Sequence, residues 1–271
     1  MSLHLSVLGC GTMGRAVLGG LQATPEARAW TFEATVRHVA STERLSAELP
    51  HVAVGTDNLQ AARAGDVVLL GVKPQQVGEV LGADGMPEAL ADTLVVSLLA
   101  GVTLATLERL CPRARFIRAM PNTPALIGQG MTVLSPGTHA TPDDLVLAQR
   151  IFSSVGRCRI LDEKHMDVVT ALSGSGPAFA CVVLEAMADG AVMMGLPRAT
   201  ALELAAQTLQ GTAHMVLETG VHPAALRDRV TTPAGCTIAG LFRMEEGRVR
   251  STIARTIQDA AVVAAGLGSD E

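Results

Sequence analysis

A chain of 271 residues, 48% hydrophobic and 17% charged, is long enough for two modest domains with a large buried fraction. A net charge of −5, an aromatic fraction of 2% and the absence of tyrosine exclude a basic stripe or an aromatic platform for nucleic acid. The five cysteines form no C-x-x-C pair and the seven histidines show no ligand spacing. No metal is expected, and Cys10, Cys111, Cys158, Cys181 and Cys236 read as buried free thiols of a reducing compartment. With no basic leader before the first apolar run and no unbroken apolar stretch of about 18 residues, the expectation is a cytoplasmic protein without a membrane span.

In chain order, residues 3–8 predict a strand, and Gly9-Cys10-Gly11-Thr12-Met13-Gly14 opens a helix reaching residue 22. A strand over 31–36 and a helix over 42–49 follow, then a short strand at 52–54 and a helix over 58–64 capped by Thr56 or Asp57. Residues 66–72 form an apolar run of the kind buried on both faces of a parallel sheet. Strands at 94–99, 115–120, 130–134 and 157–161 continue the sheet, with helices over 103–110 and 142–155 between them. This alternation predicts an α/β fold with a doubly wound parallel sheet. The period turns helical after residue 163, with Pro177 in the first turn of a helix ending near Gly195 and another helix over 198–218. Helices over 237–245 and 248–265 complete a reading of two domains, 1–163 and an all-α half, 164–271.

The glycine motif follows a strand and opens a helix, the context in which G-x-G-x-x-G binds a dinucleotide. Gly9 makes the tight turn, Gly11 lets a pyrophosphate approach, and Gly14 lets helix pack on strand. At the end of the second strand, where an acid would bind a ribose 2′-hydroxyl, the chain reads Thr35-Val36-Arg37-His38. Glu33 lies too early to serve, and the planar fork of Arg37 suits a 2′-phosphate, so NADPH is favoured, with NADH also accepted. Val72-Lys73-Pro74 and Met120-Pro-Asn122-Thr-Pro124 end strands on the ligand-binding edge of such a sheet. Lys73 is one of only two lysines, with Lys164; a snorkelling surface lysine and, for Asn122, a plain turn residue are the plainer readings. Ser173 and Ser175 suit helix capping, while Thr231-Thr-Pro-Ala-Gly-Cys-Thr237 suits an anion nest of amides and hydroxyls.

On these motifs, with Leu172-Ser-Gly-Ser-Gly-Pro-Ala178, Met194-Gly-Leu-Pro197 and His222-Pro223, the whole chain resembles the pyrroline-5-carboxylate reductases. The resemblance implies an N-terminal Rossmann-type domain and a C-terminal all-α dimerisation domain, with dimers assembling into a ring of five. It implies a cofactor site at Gly9 to Gly14, Asn58, and Val72 to Pro74. It further implies a pyrroline carboxylate held by Thr237 and the backbone at Cys236, with Asn58 and Glu163 close by. Two positions depart from the family pattern: Thr232-Pro-Ala-Gly235 stands where Ser-Pro-Gly-Gly is common, and Arg229 stands where an uncharged residue is common. Within that resemblance the catalytic expectation falls on Thr237, as the hydrogen-bond partner of the ring nitrogen; the helical half contains neither tyrosine nor a lysine beyond Lys164, which suits an imine better than a ketone. A β-hydroxyacid dehydrogenase, the nearest rival, would require a lysine there. A related cyclic imine remains open as the substrate.

Overall fold

The structure is a computed structural model describing residues 2–267. Its sheet has eight strands: β1 (His4–Leu8), β2 (Thr31–Thr35), β3 (Val52–Gly55), β4 (Val67–Leu70), β5 (Leu94–Ser97), β6 (Arg115–Met120), β7 (Gly130–Pro136) and β8 (Gly156–Ile160). The spatial order is β3-β2-β1-β4-β5-β6-β7-β8. Strands β1 to β6 are mutually parallel, so their carboxyl ends share one edge, with the reversal of strand order between β1 and β4. All four β4 residues are buried because helices cover both faces. The expected fully parallel sheet needs one correction: β7 runs antiparallel to β6, and β8 parallel to β7. Only residues 121–129 join β6 to β7, too few for the crossover that a parallel pair requires.

The helices beside the sheet are α1 (Thr12–Gln22), α2 (Ala40–Glu48), α3 (Asn58–Ala64), α4 (Val77–Leu81), α5 (Met86–Ala89), α6 (Leu104–Leu110) and α7 (Pro142–Ser153). Local caps set several starts: Asp57 accepts from Gln60 N–H at 3.0 Å before α3, and Thr141 with Asp144 closes a capping box around Pro142 at α7. The sheet core fills with aliphatic side chains plus Phe116 and Phe152, each fully buried and worth roughly 1.5–3 kcal/mol against exposure. Short helices α4 and α5 escape the sequence reading because four or five residues show no period.

The chain then continues through α8 (Met166–Val169), a π-turn (Thr170–Gly174), α9 (Gly176–Met193), α10 (Arg198–Thr219), α11 (Pro223–Arg229), α12 (Cys236–Glu246) and α13 (Val249–Gly266). Pro177 lies in the first turn of α9, as expected, after a bend at Ser175 that separates that helix from the π-turn. Two compact units emerge: residues 2–175 with the end of α13 from Ala260, and residues 176–259. The period changes at about Glu163 but the units part after Ser175, because side chains on β6 and just beyond it hold the intervening turns. Arg118 pairs with Glu163 at 3.1 Å and lies 3.8 Å from Asp167, and Asn122 bonds Ser173.

The stretch Glu163–Met193 is long and apolar enough, by length and composition, to cross a membrane; its most apolar 18 residues have a mean hydropathy of 1.5, and 11% of them are buried within the chain. Cys181 and Cys236 are exposed and Cys158 half-buried, which corrects the expectation of five buried thiols; only Cys10 and Cys111 are buried. Cys158 sits on β8 at the edge of the sheet, whereas Cys181 and Cys236 belong to the helical half, which leaves apolar surface uncovered in a single chain.

Candidate active site

The turn from β1 into α1 uses its three glycines in three ways. Gly9 has φ +78°, and a Cβ there would stand 2.6 Å from Val72 Cγ1 and 2.8 Å from the Val72 backbone, so no side chain fits. A Cβ at Gly11 would meet nothing within 4 Å, which leaves open space over the start of α1. At Gly14 it would lie 2.9 Å from Val7 and 3.2 Å from the Cys10 thiol, where helix packs on strand. No side chain caps α1, so its first amides remain available to an anion. Burial pushes the Cys10 thiol up to about 12, ruling it out as a thiolate nucleophile at neutral pH.

Behind this turn, the buried Thr35 hydroxyl accepts from Gly9 N–H at 3.0 Å and donates to Asn58 Oδ1 at 2.6 Å. The bond fixes the orientation of the Asn58 amide and leaves its Nδ2 as the end available to a ligand. A cleft of about 560 Å³ opens here, over the carboxyl ends of β1, β2 and β4. Of the residues expected to bind cofactor, Gly9, Cys10, Gly11, Arg37, Asn58, Val72 and Lys73 line it. Thr12, Met13, Gly14 and Pro74 do not: Thr12 lines a different cleft of about 600 Å³ beside α1, Gly14 is buried in packing, and Pro74 begins a 3₁₀ turn.

The cleft also contains Arg15, Ser41 and Arg44, which the sequence reading missed. Ser41 and Arg44 stand three residues apart on one face of α2, a signal legible once that helix is started at Ala40, while Arg37 lies in the bend before it. Glu48 accepts from Arg15 at 2.9 Å and from Arg44 at 3.0 Å, tying α1 to α2. Those two guanidinium groups hold its carboxyl below the usual carboxylate range. Glu33 points elsewhere, 3.6 Å from His4 Nε2, so no acid occupies the end of β2. Cations and open amides therefore converge on a volume suited to a phosphate-bearing dinucleotide.

Glu163 has other partners. Its Oε1 accepts from Leu104 N–H at 2.7 Å and from the buried Arg118 at 3.1 Å. It borders a separate cleft of about 470 Å³ with Glu108 and Asp162. Its observed job is to cap α6 and neutralise Arg118, and it takes no part in the cofactor cleft.

In the second unit, Thr231 Oγ1 donates to Arg227 O at 2.8 Å and Gly235 N–H to Thr232 O at 3.2 Å, closing the turn into α12. Gly235 is the N-cap of α12, with no side-chain cap bond, so Cys236 and Thr237 occupy the first two helical positions. Thr237 is half-buried, and its hydroxyl makes no hydrogen bond to the described residues. His222 Nδ1 accepts from Ala224 N–H at 3.2 Å and so caps α11, at whose end Arg229 is exposed. Ala234 has φ +56°, a left-handed conformation costing an L-residue roughly 1–2 kcal/mol. Ala234→Gly is expected to stabilise the protein by about 0.5–1 kcal/mol after the added unfolded-state entropy is deducted, read as a slightly higher Tm. An unchanged or lower Tm would contradict stored strain at this residue.

A family model for pyrroline-5-carboxylate reductase dimerisation matches residues 163–267. One described as NADP oxidoreductase, coenzyme F420-dependent, matches residues 4–101. The pyrroline-5-carboxylate reductase of Schizosaccharomyces pombe is 44% identical, covering 97% of this chain and 98% of its own. The chain belongs to the pyrroline-5-carboxylate reductase family.

Among solved structures, the pyrroline-5-carboxylate reductase of Coxiella burnetii superposes with a TM-score of 0.90 at 32% identity, over 98% of this chain and 99% of its own. The Plasmodium falciparum pyrroline carboxylate reductase, solved with NADP bound, gives a TM-score of 0.86 at 27% identity, with 98% of each chain covered. The segment matching the reductase dimerisation model carries the most exposed apolar side chains, including Met193 and Met194 at 86% and 87%, Val262 at 74% and Phe242 at 66%. Exposed apolar surface of this extent marks an interaction site, and the model matching this segment is one of dimerisation.

Proposed function

We infer that the chain reduces L-1-pyrroline-5-carboxylate to L-proline, the last step of proline biosynthesis, with NADPH preferred and NADH accepted. The observation that carries this is the cationic cleft at the β1–α1 turn in a chain whose relatives share its full length. NADPH, when bound, supplies the hydride that reaches C5 of the ring imine. Gly9 to Gly14 and the open amides of α1 hold the pyrophosphate, while Arg37, with Ser41 and Arg44, reads the 2′-phosphate. Asn58, oriented by Thr35, and Val72, Lys73 and Pro74 flank the nicotinamide side. The α12 amides at Cys236 and Thr237 hold the substrate carboxylate, and the Thr237 hydroxyl hydrogen-bonds the ring nitrogen as it becomes an amine. A protonated C=N is already electrophilic, so proximity and orientation outweigh acid catalysis. Glu163, which Leu104 N–H and Arg118 hold in place, lies close to the substrate.

The assay is NADPH oxidation with pyrroline-5-carboxylate beside a six-membered cyclic imine and a panel of hydroxyacids. Fastest turnover of the five-membered imine is expected; preference for a hydroxyacid would overturn the reading. The enzyme works in the cytoplasm as a homodimer, five of which form a ring. The helical half buries its apolar faces against a second copy, with no membrane and no nucleic acid involved. Sedimentation is expected to give a dimer or a multiple of it at micromolar concentration, and a fully active monomer on dilution would contradict this.

A further inference from the structure

The Thr170–Gly174 segment is a π-turn: Ser175 N–H donates five residues back, to Thr170 O, at 2.8 Å. Such turns widen a helix by one residue and cluster at functional sites. The chemistry of its surroundings shows what maintains it. Pro177 has no N–H, so the carbonyl of Ser173 lacks the donor that an α-helix supplies from four residues ahead. Asn122, at the carboxyl end of β6, fills that role. Its Nδ2 donates to Ser173 O at 3.2 Å and to Ser173 Oγ at 3.3 Å. Its Oδ1 meanwhile accepts from Met131 N–H at 2.9 Å, so both ends of the amide are used. Gly174 lies against Met120 of the same strand, where a Cβ would stand 2.6 Å from Cε. Ser175 is half-buried, and its hydroxyl has no partner among the described residues.

We propose that Asn122 is a positioning residue: by giving Ser173 O the donor that Pro177 lacks, it holds the π-turn and sets Gly174 and Ser175 at the carboxyl edge of β6. That edge is continuous with the ends of β1 and β4, where a dinucleotide lies in such sheets. The proposal rests on the reductase reading, because the ring reduced there is what the π-turn orients against. An α-turn in its place would rotate Ser175 by about 100° and draw it back by one residue's rise.

The test compares Asn122→Ala and Asn122→Asp, each with and without Pro177→Ala. Asn122→Asp keeps the acceptor for Met131 N–H but cannot donate to the Ser173 carbonyl. Both single variants are expected to lower kcat about ten- to a hundredfold, the effect of a displacement near 1 Å, with KM for NADPH within about twofold. Amide exchange should accelerate at residues 171–175. Adding Pro177→Ala returns a backbone donor to Ser173 O, so Tm should recover while kcat stays low, since the restored turn is α rather than π. Recovery of kcat together with Tm would overturn the proposal, as would an Asn122→Ala enzyme of normal kcat. Should the unmodified protein fail to reduce pyrroline-5-carboxylate, the reductase reading fails separately. Unchanged exchange at 171–175 in Asn122→Ala would then overturn the Asn122 proposal, and accelerated exchange rescued by Pro177→Ala would support it.

Discussion

Thr237→Ala is expected to lower turnover of pyrroline-5-carboxylate by roughly ten- to a thousandfold, the span between a modest and a strong positioned donor. The ring nitrogen changes from imine to amine during the reaction, so a hydrogen bond to it gains value as the transition state forms. NADPH affinity should barely change, because every residue lining the cofactor cleft lies before residue 81. Thr237→Ser retains the hydroxyl and should recover most of the rate. A purely structural Thr237 would act as a helix cap, and losing a cap costs about 1 kcal/mol of stability without touching turnover per folded molecule. That alternative is weak on geometry, since Gly235 occupies the N-cap position and the Thr237 hydroxyl bonds none of the described residues. Turnover number and melting temperature measured on the same samples decide the matter. A destabilised but fully active Thr237→Ala enzyme would refute the catalytic role.

Arg37→Asp should weaken NADPH by roughly ten- to a hundredfold, about 1.4–3 kcal/mol for a lost charge-assisted contact plus new repulsion. NADH, without the 2′-phosphate, should suffer far less and can gain from an acid facing its ribose hydroxyls. The loss falls toward the lower end if Arg44 shares the phosphate, because Glu48 holds that side chain at the same cleft. Titrating both cofactors against the variant by fluorescence at fixed ionic strength reads the difference directly. Equal losses for NADPH and NADH would show that Arg37 serves the cleft generally and does not discriminate the phosphate.

Local rules made much of this architecture legible. The strand, glycine turn and helix at residues 4–22 follow from sterics and period within a few residues, and the observed φ and close approaches at Gly9 and Gly14 agree with them. The apolar run of β4 and the change to a helical period after residue 163 were equally local signals. The expected positions of Arg37 and Lys73 came from where parallel strands end and that of Asn58 from the family resemblance, and all three line one cleft.

Tertiary structure alone decided the rest. Thr35 orients Asn58 across 23 residues, Glu48 joins Arg15 to α2 across 33, and Asn122 reaches Ser173 across 51. Glu163, expected near substrate, is held by Leu104 N–H at the start of α6 and by Arg118, partners the sequence did not show. A side-chain hydrogen bond between distant residues leaves no periodic trace, so pattern reading cannot find it. Strand direction at β7 depended on the length of one connection, which outweighed the alternation of elements. The exposed Cys181, Cys236 and apolar helix faces show the same limit from another side. Hydrophobicity in a sequence tells that a surface is to be covered, whereas the packing of helices determines whether the same chain covers it.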